Sequence, residues 1–237
     1  MAVSIGNKIE LVRLEQVIRG EADKKVYVSK VFDILEKNML QIAMPIYEGK
    51  IVPLDVGDKY SAVFYTDKGL LSCNVVISSR YKSGNLFFME VKLLSVPAKV
   101  QRRAYYRYPC KLESRYFILS EEDFIASGGK DPALEETAVW NPAMIMDISG
   151  GGLRVLQKEN RERGTLLKIS FSLPQEDKLK KYSLVARVLS STLKEGRGEL
   201  YELRMKFLRI GDDDRDSIIR FIFESERTAR AKETGLK

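Results

Sequence analysis

The chain has 237 residues, 44% of them hydrophobic, and its 40 Lys and Arg against 33 Asp and Glu give a net charge of +7. This length allows one large or two small domains with real cores. The apolar fraction is that of a soluble globular protein, and the basic balance suits either an anionic partner or solubility alone. The absence of histidine excludes Ser-His-Asp and Cys-His nucleophilic pairs and removes the commonest transition-metal ligand; carboxylate chemistry remains open, but no acidic pair stands out, so a binding protein is expected before an enzyme.

No apolar run approaches the roughly 18 residues that span a bilayer. The opening MAVSIGNKIELVRLE lacks the basic-then-apolar pattern of a secretory signal, so the expected compartment is the cytoplasm. Cys73 and Cys110 form neither a disulfide framework nor a metal spacing. Cys73, inside a strand-like run, reads as a small core residue.

Short alternating segments follow in order. Residues 8–14 alternate weakly; 26–35, 40–44 and 60–66 read as strands. Asp67-Lys68-Gly69 makes a turn into a strand at 70–78, and Lys82-Ser83-Gly84-Asn85 makes another into 86–94. Strands this short with regular turns predict an antiparallel barrel or sandwich, with no competing helical period in this half. Pro97 breaks the pattern, and 95–101 reads as a linker. Strands are expected again at 108–118, 139–147, 152–157, 166–171, 181–191 and 199–209, with Gly196 and Gly198 in the last hairpin. The acidic, turn-rich stretch at 119–138 reads as a surface loop or short helix. At the C-terminus, Asp212, Asp213, Asp214 and Asp216 favour a helix start, and Ile218, Ile219, Ile222 and Phe223 form an apolar stripe for packing on the barrel.

Two elements carry chemistry. The first is the basic-aromatic run from Gln101 to Pro109, which includes Arg102, Arg103 and Arg107. Arginine forks match phosphate oxygens and the O6/N7 edge of guanine, and their planes stack on purines. The second is Asp147-Ile148-Ser149-Gly150-Gly151-Gly152, between two strand-like runs. Its glycines let backbone approach a ligand or adopt positive φ, while the carboxylate and hydroxyl offer partners for guanine N1/N2 and for phosphate. The absence of a following Lys-Ser/Thr rules out an NTPase phosphate loop. Alone, either element also fits a plain basic patch or a plain Gly-rich hairpin. A nucleic-acid-binding barrel with Tyr105, Tyr106 and Tyr108 as a stacking platform is the alternative reading.

Together, Arg103-x-x-x-Arg107 followed by Asp147-x-Ser149-x-x-Gly152 resembles the signature of the PilZ domain. The β-rich first half, ending in QRRxYxR and carrying Ser29 and Pro45, resembles the YcgR-type flagellar brake proteins. The resemblance implies a mainly β chain of two antiparallel barrels. A split-barrel-like N-terminal domain would span 1–95, a linker with the arginine motif 96–107, and a six-stranded PilZ barrel with a C-terminal helix 108–237. It implies a cyclic di-GMP receptor whose site is Arg102, Arg103, Arg107, Asp147, Ser149, Gly151 and Gly152, without metal or cofactor. Arg103 and Arg107 would clamp phosphate and guanine, Asp147 and Ser149 would hold a base and its phosphate, and Gly152 would leave room for the ligand. Arg102 resembles members that bind an intercalated ligand pair, so two ligands per chain are implied. The implied partner is a flagellar motor component, with recruitment to the basal body. The stretch from Arg107 to Asp147 is longer than the family's usual spacing.

Overall fold

The computed structural model describes residues 3–21, 24–35, 38–128, 139–175, 178–194, 196 and 199–233, and the chain divides into two compact units, Met1–Arg102 and Arg103–Lys237. In the first unit, strand β1 (Lys8–Arg13) precedes a short helix α1 (Leu14–Ile18). Strands β2 (Tyr27–Ile34), β3 (Met39–Ala43), β4 (Ile46–Tyr47), β5 (Lys50–Ile51), β6 (Lys59–Thr66), β7 (Gly69–Ser83), β8 (Leu86–Leu93) and β9 (Ala98–Lys99) follow. Their order is β1-β6-β7-β8-β3-β2, with β4 and β5 beyond. Strand β1 also pairs with β2, Ile9 opposite Ser29, so the six long strands return on themselves.

Strand alternation explains the core. Every second residue points inward, and these are Ile9, Leu11, Val31, Leu40, Ile42, Ala62, Phe64, Cys73, Val75, Ile77 and Val91, all buried. Each of the larger ones contributes about 1.5–3 kcal/mol when removed from water. Burial pushes the Cys73 thiol up to about 11, as suits an inert core residue. Ser29 is buried and donates to the Ala43 carbonyl at 2.6 Å, while the Pro45 carbonyl accepts from Val52 N at 2.8 Å.

Three details differ from the strand pattern. Leu14, expected to extend the first strand, begins α1. Leu-Glu-Gln are good helix formers, and the helix buries none of its residues. The β4–β5 hairpin, Ile46 opposite Ile51, is too short for a period to announce. Within 95–101, Ala98 and Lys99 add to β7, opposite Ser72 and Leu71, and Val100 N donates to the Leu70 carbonyl at 3.0 Å.

The second unit is a closed antiparallel barrel. Its strands are β10 (Tyr108–Leu119), β11 (Asn141–Ser149), β12 (Gly152–Gln157), β13 (Leu166–Gln175), β14 (Lys178–Lys194) and β15 (Leu200–Phe207), in the order β10-β11-β12-β15-β14-β13. Helix α2 (Glu121–Ala126) occupies part of the acidic insertion. Ser120 caps it, accepting from Asp123 N at 3.0 Å. The rest of that insertion, 129–138, and Gly198 of the expected hairpin lie outside the described residues.

Helix α3 (Asp212–Glu233) carries Asp212, Asp213 and Asp214 in its first turn and Arg230 and Lys232 in its last, each sign matching the helix dipole. Ile218 and Ile222 are buried in the barrel core and Phe221 packs against it, but Phe223 is 67% exposed. At 3.6 residues per turn Phe221 lies about 60° from Ile218 and Phe223 about 140° away. The packed stripe therefore includes Phe221 in place of Phe223. Among the described residues no helix is long and apolar enough to cross a membrane.

Candidate ligand-binding site

Strand pairing assembles most of the predicted site. Tyr108 lies opposite Ile148 and Pro109 opposite Asp147. The antiparallel register, continued by one residue, brings Arg107 alongside Ser149. Ser149 pairs with Gly152, leaving Gly150-Gly151 as a two-residue turn between β11 and β12. Tyr105 covers that turn. A Cβ built on Gly150 would stand 2.8 Å from Tyr105 Cδ1, and one on Gly151 3.0 Å from Tyr105 Cδ2. Arg103 and Arg107 thus flank a ring seated on the Gly-rich turn. Both arginines are exposed, and neither has a hydrogen bond or ion pair with a described residue.

None of the three glycines adopts a positive φ. They are needed for close approach instead. Gly150 and Gly151 make room for Tyr105. Gly152 makes room for the neighbouring strand, because its Cβ would stand 2.1 Å from the Met205 carbonyl oxygen. Ser149 is buried; its hydroxyl donates to the Gly152 carbonyl at 3.0 Å and lies 3.4 Å from Gly151 N. Its proton is committed to the turn, so donation to a phosphate requires the hydroxyl to rotate.

Asp147 is held from the adjacent strand. Arg154 lies directly opposite it and its Nε donates to Asp147 Oδ2 at 2.5 Å. The same guanidinium reaches Glu202 Oε2 at 2.9 Å, and Lys194 and Arg204 also bind Glu202, at 3.2 and 3.4 Å. A two-residue turn after Ser149 puts Arg154 across from Asp147, so the pair follows from the spacing once the turn length is known. Burial opposes ionisation of Glu202, yet hydrogen bonds from Arg154 and Lys194 outweigh it and hold the carboxyl below its ordinary value of 4.5. A depressed folded-state pKa contributes stability that is complete above the ordinary value and lost as pH falls through the lower one. The melting temperature of the barrel is therefore expected to drop more steeply below pH 4.5 in the wild type than in Glu202→Gln, measured by circular dichroism from pH 6 to 3. Cys110 is half-buried; burial first, and then the Asp147 charge, pushes its thiol up to about 11.

Arg102 is placed differently from the other two arginines. It belongs to the first unit, where its guanidinium meets Glu10 on β1 and Tyr65 on β6. Tyr106 is 58% exposed, while Tyr108 makes an edge contact with Phe221 at 6.2 Å between ring centroids. With Tyr105 seated on the turn, a three-ring stacking platform for nucleic acid is not formed. No group of three metal-ligating side chains occurs among the described residues.

The family model described as the PilZ domain matches residues 101–224. The chain belongs to the PilZ family. A second model, described as flagellar protein YcgR, matches residues 4–93. The PilZ chain is similar in structure to the inhibitor of motility MotI/DgrA of Bacillus subtilis, with a TM-score of 0.72 and 19% identity over 96% of this chain and 100% of that one. It also matches YcgR of Escherichia coli in complex with c-di-GMP, with a TM-score of 0.49 and 15% identity over 98% and 89%. No curated protein matches it. Both halves of the PilZ signature fall in the second unit, one on the segment entering β10 and the other on the β11–β12 turn.

Proposed function

We propose that this protein is a cyclic di-GMP receptor without enzymatic activity, and that ligand capture changes the arrangement of its two units to control a protein partner at the flagellar motor. The observation that carries the reading is the pair of exposed arginines, Arg103 and Arg107, without a partner among the described residues, on the segment that runs into β10 alongside Ser149 and Asp147. Exposed guanidinium groups can bind phosphates and guanine edges bidentately. The Asp147 carboxylate and Ser149 hydroxyl at the end of β11 supply acceptors for a guanine Watson–Crick edge.

The segment 103–107 also suits a switch. Upstream, Val100 is hydrogen-bonded to Leu70, and downstream, Tyr108 begins β10. Between them Arg103 and Arg107 have no partner among the described residues. Ligand binding neutralises their mutual repulsion and orders the segment, an order–disorder change of known type. Its reach is set by the ligand's differential affinity for the two arrangements. The match of residues 4–93 to a flagellar-protein family supports a motor component as the target.

Isothermal titration of the full chain with cyclic di-GMP tests this. Saturable binding that prefers cyclic di-GMP to GTP and to linear dinucleotides is expected, with two ligands per chain if Arg102 takes part. A solution-scattering profile that changes on saturation is expected alongside. No binding would overturn the receptor reading, and binding with an unchanged profile would overturn the switch. Steeply salt-dependent RNA binding in place of cyclic di-GMP would favour the nucleic-acid alternative.

A further inference from the structure

Arg102 is the arginine of the basic segment whose guanidinium is already occupied. Its Nη1 donates to Glu10 Oε2 at 3.1 Å and its Nη2 to the Tyr65 hydroxyl at 2.5 Å. The guanidinium also stands 5.4 Å from the Tyr65 ring centroid. Arg102 thus links Glu10 and Tyr65 in one cluster. Lys8 joins it, 2.8 Å from Glu10 Oε1 and 4.7 Å above the Tyr65 ring. The strand register explains the gathering. Lys8 lies opposite Tyr65, and Lys8 and Glu10 share a face of β1. The Glu10 side chain is only 15% exposed, so its charge is poorly screened by solvent.

We propose that Glu10 and Tyr65 are affinity-determining residues for cyclic di-GMP: a clasp in the first unit that competes with the ligand for the Arg102 guanidinium. The inference rests on the receptor reading above. A ligand phosphate that addresses Arg102 meets a guanidinium with both terminal nitrogens engaged and a carboxylate 3.1 Å away. Whether the phosphate displaces Glu10 or shares the arginine with it, the like charge opposes binding. Lys8 stays on Glu10 after Arg102 leaves, so release does not strand an unpaired carboxylate, which keeps the competition within reach of one ligand contact. The clasp lies in the first unit, and none of its residues belongs to the recognised signature, which Arg102 immediately precedes.

Calorimetric titration of the full chain with cyclic di-GMP provides the test. Glu10→Gln is expected to tighten binding about fivefold, the scale of one partly exposed ion pair. Tyr65→Phe, which keeps the ring and removes the hydroxyl, should tighten it by a smaller factor. The decisive arm is the double variant: in an Arg102→Ala background, Glu10→Gln should have no effect. Affinity unchanged by Glu10→Gln overturns the proposal. So does an equal gain with and without Arg102, which would mark a general charge effect instead of a clasp. Thermal melts of each variant separate these outcomes from loss of folding. If the wild type fails to bind, the receptor reading falls; if it binds and loses binding with Arg107→Ala while Glu10→Gln changes nothing, only the clasp falls.

Discussion

Arg107→Ala is expected to weaken cyclic di-GMP binding at least about a hundredfold while leaving the fold intact. A charge-assisted hydrogen bond is worth about 1.5–3 kcal/mol, and a bidentate guanidinium loses two, which is two or more orders of magnitude in affinity. The fold is spared because Arg107 is exposed and has no partner among the described residues; exposed substitutions of this kind usually stay within about 0.5 kcal/mol. Arg103→Ala should behave alike. Arg107→Lys keeps the charge but not the fork, so it should fall between wild type and alanine. Titration calorimetry paired with a thermal melt checks all three, and near-normal affinity in either alanine variant would refute the assignment.

The strands were legible because period-two alternation is a local signal, and one face of each strand is buried here. Ile9 and Leu11, or Leu153 and Val155, announce their inward face from within a few residues. Closure was not legible: the pairing of β1 with both β2 and β6 depends on sheet twist and strand order, which no local pattern encodes. The same division runs through the site. Arg103, Arg107, Asp147, Ser149 and the glycines stood out by residue type. Their neighbours did not, because Glu10 and Tyr65 are 92 and 37 residues from Arg102, and Arg154 reaches Asp147 only once the turn is known. The helix stripe shows the limit from another side. Apolar residues at 218, 219, 222 and 223 satisfy a count, yet the helical angle turns Phe223 away from the core.

The glycines of the signature looked equivalent in sequence and are not equivalent in structure, which leads to the second large effect. Gly152→Ala is expected to destabilise the barrel by about 3 kcal/mol or more, a size reserved for substitutions with no room to relax. Its Cβ would stand 2.1 Å from the Met205 carbonyl oxygen and 3.1 Å from Lys206 Cα. Both are backbone atoms of β15, the strand paired to Gly152 through Lys206. Strand β12 is bonded on its other side to β11, so it cannot back away without withdrawing Leu153 and Val155 from the core. Gly151→Ala meets only the edge of the Tyr105 ring, which can pivot. It should cost little stability and instead loosen the seat between Arg103 and Arg107, weakening ligand binding. Trp140, the single tryptophan, lies in the second unit against Phe117, so urea unfolding followed by its fluorescence reads that barrel directly. Gly152→Ala unfolding at the wild-type midpoint would show that β12 and β15 can part, and that the glycine serves the ligand rather than the strand.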